Sequence, residues 1–225
     1  MELGRSTLDR ELTQIREDVL ALSRLVDSAI DDAMTSLYVR DPILAQTVID
    51  GDEQVNALRY QVEESCLRTI ATQQPAARDL RAVMAATHIA VELERMGDHA
   101  VGTARLVTRL EKEEEITSLH KLPKMAKRAR KMINQGVRAY INEDVDLARA
   151  LLDRDAKIDK MYKRLFRETL EEMRDDNYVR RATYLLWVGH NLERIGDRST
   201  NIAERVIFMV TNEFVETISH LDDDE

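Results

Sequence analysis

With 225 residues, 44% hydrophobic and only 7 glycines and 3 prolines, the chain has too few turn-formers for an all-β fold and enough apolar mass for a packed core. Its net charge of −9 argues against generic nucleic-acid binding, and the lone Cys66 cannot close an intramolecular disulfide. No apolar run approaches the roughly 18 residues of a membrane span and residues 1–10 are polar, so a soluble, cytoplasmic protein is expected.

Helical periodicity and a composition rich in Leu, Ala, Glu and Arg predict an all-α chain of six helices in two sets of three. The first spans 7–40. The second opens at Asp41-Pro42, where Asp caps and Pro takes the first helical position, and runs to 73. Pro75 opens a third, lasting to 113, and the charged stretch 111–118 is the expected link between halves. Helices at 122–141, 144–174 and 177–211 follow, and the acidic end 221–225 is read as a frayed tail. Residues 1–115 and 116–213 are thus expected to form two tandem three-helix bundles, with 214–225 outside them. Lys121, Lys124, Lys127, Arg128, Arg130 and Lys131 make one locally basic stretch, either a solvated helix face or a partner-binding patch.

The halves repeat each other. Leu93-Glu94-Arg95-Met96-Gly97-Asp98 recurs as Leu192-Glu193-Arg194-Ile195-Gly196-Asp197, 99 positions on, and Asp52-Glu53-Gln54-Val55-Asn56 matches Asp155-Ala156-Lys157-Ile158-Asp159 at an offset of 103. The mismatch of four residues falls between helices two and three of each half and equals about one helical turn.

On the sixth helix Val188, Leu192, Ile195, Ser199, Ile202, Val206 and Met209 form one stripe, and Glu193, Asp197, Asn201 and Glu204 lie roughly opposite, with His190 one turn before. The third helix repeats this with Ile89, Leu93, Met96, Ala100, Val107 and Leu110 against Glu94 and Asp98, so both acid pairs are expected to face outward. Two acids at i and i+4 repel by roughly 0.2–0.5 kcal/mol. Two such pairs at equivalent positions suggest a compensating cation, and their hard oxygen donors suit magnesium, calcium, manganese or iron. The alternative is a solvated acidic face neutralised by Arg95, Arg194 and Arg198. Gly97 and Gly196 are read as points of close helix approach. Asp52 and Asp155 fall on apolar seams and require a partner, with an ion pair or amide cap preferred to a metal, while Cys66 sits on a core face. No Glu-x-x-His, His-Glu-x-x-His, glycine-rich phosphate loop or Ser/His/Asp grouping is present.

These residues carry a resemblance. Two three-helix halves, each with Glu-Arg-(Met/Ile)-Gly-Asp late in its third helix, the second continuing Arg198-Ser199-Thr200-Asn201-Ile202-Ala203, resemble the PhoU family of phosphate-signalling regulators over essentially the whole chain. The resemblance implies a six-helix bundle with pseudo-twofold symmetry and metal clusters held by Glu94, Asp98, Glu193, Asp197 and Asn201, with iron, manganese, zinc or magnesium as the ion. Gly102 stands where the first motif would continue with Asn, which predicts a weaker first site. It further implies a negative regulator, not an enzyme, between a phosphate ABC transporter and a sensor histidine kinase. The expected partners are the transporter's ATPase subunit, the kinase and a second copy of the chain, with contact to the inner membrane only through partners and none with nucleic acid. The alternative is a metal-dependent enzyme built on Glu193, Asp197 and His190.

Overall fold

The computed structural model describes residues 2–110, 113, 119, 121–153 and 155–215. Among them every regular element is a helix: α1 (Glu2–Val39), α2 (Pro42–Gln73), α3 (Ala77–Leu110), α4 (Leu122–Asn142), α5 (Val145–Leu152), α6 (Asp155–Glu172) and α7 (Val179–Thr211). None is long and apolar enough to cross a membrane.

The local signals act as their chemistry requires. Asp41 stays extended and its Oδ1 accepts the N–H groups of Ile43 and Leu44 at 2.9 and 3.1 Å, satisfying two donors that the first turn of α2 leaves open. At its other end Gln74 turns left-handed (φ 48°), its N–H closing on Ile70 O, and Pro75 follows; α3 therefore starts at Ala77, two residues later than the sequence predicts. Asn212 ends α7 in the same left-handed way, φ 64°.

One expected helix is two. The predicted fifth helix, 144–174, divides into α5 and α6 around Asp153. Apolar periodicity runs straight through the break without glycine or proline. The break falls between Asp153 and Asp155, and aspartate is a poor residue for a helix interior. The link 111–118, apart from Glu113, and the tail from 216 lie outside the described residues.

α1, α2 and α3 pack on one another, as do α4, α5, α6 and α7, and the halves join through α3 against α7 and α1 against α4. A single core runs through both: Ile30, Leu37, Ile89, Leu93 and Met96 of the first half and Leu122, Ile133, Tyr140, Leu192 and Ile195 of the second are all sealed from solvent. Part of the basic stretch serves this junction. Arg130 of α4 grips Asp27 of α1 with both arms (Nε to Oδ1 3.0 Å, a terminal nitrogen to Oδ2 2.8 Å) and also pairs with Asp31, while Lys124, Lys127, Arg128 and Lys131 remain exposed. At the α4–α5 turn Glu143 receives Arg16 of α1 at 2.7 Å and Arg78 of α3.

α3 and α7 are antiparallel. Arg81 near the start of α3 donates to the Met209 carbonyl near the end of α7 at 3.0 Å, and Arg180 at the start of α7 reaches Glu113 at 3.2 Å. Equivalent residues of the repeat therefore meet reciprocally, the geometry of a pseudo-twofold axis. That axis places both acidic motifs mid-helix, each beside the second helix of its own half.

Candidate metal centre

Mid-helix on α7, Glu193 and Asp197 point at α6 rather than at open solvent. Asp159 of α6 completes a group in which one oxygen from each of the three carboxylates lies within 4.8 Å of the others. All three residues are partly buried, which corrects the expectation of an outward acidic face. Burial pushes the Asp197 carboxyl above its ordinary range; Arg194 draws it back, and Asp159 pushes it further up. Arg194 holds Asp197 Oδ2 at 3.1 Å, and His190 Nδ1 stands 3.3 Å from Glu193 Oε2 with its ring exposed to solvent. Tyr162, one turn along α6 from Asp159, sits beside the His190 ring with centroids 6.1 Å apart, and its phenol is pushed up by burial and by Glu193.

In the first half Asp52 of α2 lies within electrostatic reach of Glu94 and Asp98 of α3, but Asp98 is exposed and the three carboxylates do not converge as those of the second half do. Burial raises the Glu94 carboxyl, with Asp98 next in effect and Arg59 and Arg95 opposing. Asp52 is raised by burial first and then by Asp98, while Asn56 and Arg105 lower it. Asn56 Nδ2 donates to Asp52 Oδ2 at 3.0 Å, yet Asp52 Oδ1 is buried and accepts no hydrogen bond. A buried carboxylate oxygen without a donor is costly, and a hard cation is one group that satisfies it. The donor set of the second half fits such an ion, with oxygens only, drawn from two helices and gathered within 4.8 Å; among the described residues Asp52, Glu94 and Asp98 are not gathered in this way, and Asp98 is exposed. Asp52 was expected to be paired within the bundle. Its Oδ2 is, by Asn56, and its Oδ1 is not. The side chain of Asp155 lies outside the described residues.

Asn201 goes elsewhere. Its Nδ2 donates to Glu92 Oε2 of α3 at 3.1 Å, and Arg198 reaches the same oxygen at 3.2 Å. Two i+4 steps carry Asn201 roughly 80° around the helix from Glu193, out of the line toward α6 and into the seam with α3. The repeat-related position, Gly102, also lies in that seam: a Cβ there would stand 3.1 Å from Asn191 Nδ2 of α7. Asn191 is the counterpart of Glu92 and binds Thr103 Oγ1 at 3.3 Å and the His99 ring. The pseudo-twofold axis therefore relates an ionic cluster, Glu92 with Arg198 and Asn201, to a neutral one, Asn191 with His99 and Thr103. Gly102 is a missing contact between halves, so the weaker first site predicted from it loses its stated reason.

Gly97 is a point of close approach, although what approaches is a side chain: an added Cβ would be 3.2 Å from Val55 Cγ1 and 3.8 Å from Asp52 Oδ1. Cys66 is buried in the core, as expected. Surface recesses lined by Glu171, Arg174, Tyr178 and Arg181, and by His88, Glu92, Asn201, Glu204 and Arg205, do not include Asp159, Glu193 or Asp197. The residue that motif reading missed is Asp159, whose signal was the second repeated segment, 52–56 and 155–159, which lies across the helix pair from the first.

The PhoU domain family matches this chain twice, at residues 19–107 and 122–206. The chain is 33% identical over 216 residues to the phosphate-specific transport system accessory protein PhoU homolog of Clostridium acetobutylicum, covering 95% of this chain and 99% of that one. It is 32% identical over 201 residues to the phosphate-specific transport system accessory protein PhoU of Escherichia coli K12, covering 89% of this chain and 83% of that one. Its fold superposes on the crystal structure of the phosphate transport system regulatory protein PhoU from Streptococcus pneumoniae with a TM-score of 0.87 at 30% identity, over 93% of this chain and 99% of the other. Against the crystal structure of PhoU from Pseudomonas aeruginosa the TM-score is 0.85 at 34% identity, over 91% and 99%.

Proposed function

Because the chain belongs to the PhoU family, we propose that it is a cytoplasmic, non-enzymatic regulator that restrains phosphate uptake and phosphate-starvation signalling, linking a phosphate ABC transporter to its sensor histidine kinase. The observation that carries this reading is the double family match, one per half and spanning both acidic motifs. Relatives that cover nearly all of the chain carry the name of accessory proteins of phosphate-specific transport. Docking rather than turnover is the action: a scaffold changes signalling only if it holds one conformational state of the transporter's ATPase subunit or of the kinase more tightly than another.

The carboxylates have a place in this scheme. The convergent carboxylates Asp159, Glu193 and Asp197 would hold a hard cation such as iron, manganese, zinc or magnesium, and Asp52, Glu94 and Asp98 of the other half, less closely gathered, are the candidate for a second. Bound there, the cation supplies positive charge that lets buried carboxylates stay ionised and ties the second helix of each half to the third. A partner then meets a neutralised, stiffened face. Charged rim contacts of this sort set association rate and specificity and weaken with salt.

Two measurements test the reading. In a strain lacking the protein, a phosphate-starvation reporter should be on in phosphate-rich medium, and the wild-type chain should silence it. Purified chain should retain the transporter's ATPase subunit and the kinase at low salt and release them at high salt. Normal repression in the deletion strain together with no retention at either salt refutes the regulatory reading and leaves the enzyme alternative on Glu193, Asp197 and His190.

A further inference from the structure

The two carboxylate groups descend from one repeat but have diverged in charge. The acids of α3 and α7 are the same in kind: Glu94 and Asp98 against Glu193 and Asp197. The facing helices are not. Where α6 presents Asp159, α2 presents Asn56, and where α6 presents Tyr162, α2 presents Arg59. Asn56 does more than remove a carboxylate, because its N–H occupies Asp52 Oδ2, an oxygen that a cation would otherwise take. Arg59 is held in place by Glu63 at 3.1 Å and acts on Glu94, and Arg105 acts on Asp52 from α3. In the second half Arg194 and Arg198 act on Asp197, but the helix facing them adds a carboxylate and a neutral ring instead of an amide and a guanidinium.

From this we infer that the two halves do not bind cations equally: the α6–α7 group with Asp159 and Tyr162 is the tight site, and the α2–α3 group, already supplied with positive charge by Arg59 and one N–H by Asn56, is the weak one. The inference rests on the reading of the carboxylates as cation ligands. It differs from the ranking based on Gly102, since it is set chiefly by the residues that α2 and α6 present. It also assigns a role to two side chains outside the doubled motif, Arg59 and Tyr162, as the ones that decide occupancy.

Exchanging the deciding residues between halves tests it. Chelator-stripped full-length chain is titrated with Mn2+, followed by calorimetry and by the loss of free-ion signal in electron paramagnetic resonance, with circular dichroism checking that each variant stays helical. Wild type should show a tight class of Mn2+ binding at least about tenfold stronger than any second class. The pair Asp159→Asn with Tyr162→Arg should remove the tight class. The reverse pair, Asn56→Asp with Arg59→Tyr, should leave it and strengthen the second class to within about threefold of it. If Glu94→Gln with Asp98→Asn abolishes the tight class, or if wild type binds Mn2+ equally at both groups, the inequality is wrong while the cation reading stands. If wild type binds no Mn2+, the cation reading falls and the inequality falls with it.

Discussion

Protonation of His99 should loosen the join between the halves, and the size of the effect can be worked out. Burial is the main reason that this imidazole is held down to about 4 from an ordinary 6.5; the hydrogen bond that it donates to Asn191 opposes this, and the charges of Arg198, Arg194 and His190 add to it. The folded state thus keeps His99 neutral where the unfolded chain protonates it, so between about 6.5 and 4 the unfolded state binds more protons. The contribution of this group to stability is complete above the higher value and is lost as pH falls toward the lower one. His99 is only partly buried, so after screening by solvent the loss is about 1–2 kcal/mol. Asp52, Glu94 and Asp197 act in the opposite sense, because their raised carboxyls favour the folded state at low pH and that gain disappears as pH rises through their folded values. Wild type alone cannot separate these effects. Comparison with His99→Gln can: urea unfolding in the presence of chelator at pH 7.0 and 4.5 should show wild type losing about 1–2 kcal/mol more than the variant. Equal losses in the two proteins would show that the imidazole titrates normally and that the seam does not resist its charge.

Three further outcomes follow from the packing. A Cβ at Gly189 would collide with Leu165 Cδ2 and stand 3.3 Å from the Tyr162 ring, with Leu165 fully buried, so Gly189→Ala should cost about 1–3 kcal/mol less the roughly 1 kcal/mol of improved helix propensity; Gly51→Ala, with nothing within 4 Å, should keep that gain, and thermal melts should place the two variants on opposite sides of wild type. Glu92→Ala, which strips the partner from mostly buried Arg198, should destabilise by about 1–3 kcal/mol, more than the roughly 1 kcal/mol expected for Asn191→Ala at the neutral counterpart; an equal loss in urea titrations would contradict the difference assigned to the two clusters. Asp41→Ala should lower stability by about 1 kcal/mol through two lost capping bonds, and restoration of at least half of that by Asp41→Asn would separate capping from charge.

The fold was legible in the sequence wherever a local signal had a local cause. Asp41-Pro42 opens α2, and the apolar stripe on α7 runs to Met209, two residues before the helix ends at Thr211. The division of α5 from α6 was not legible, because periodicity continues across it and no glycine or proline marks the place, only two residues of low helix propensity. The acids of the motif could be read directly: repetition singles them out, and helical spacing puts each pair on one line. What spacing along one helix cannot supply is the identity of the helix opposite. Asp159 enters the group through the register of α6 against α7, and Asn201 leaves it because an i+4 line drifts around the helix until α3 captures its amide.

The unequal ends of the α3–α7 seam bear on how far duplication has been followed by specialisation. Had the halves remained interchangeable, either could pair with its own copy. Now a first half laid against itself would set Glu92 opposite His99 and Gly102, giving up the arginine that holds it, and a second half laid against itself would set Arg198 opposite Asn191, a charge facing an amide. Only the mixed pairing matches charge with charge and amide with imidazole. Each half has become the other's required complement, so the two produced as separate chains should seek one another rather than their own kind, and the covalent link serves to keep together partners that already recognise each other.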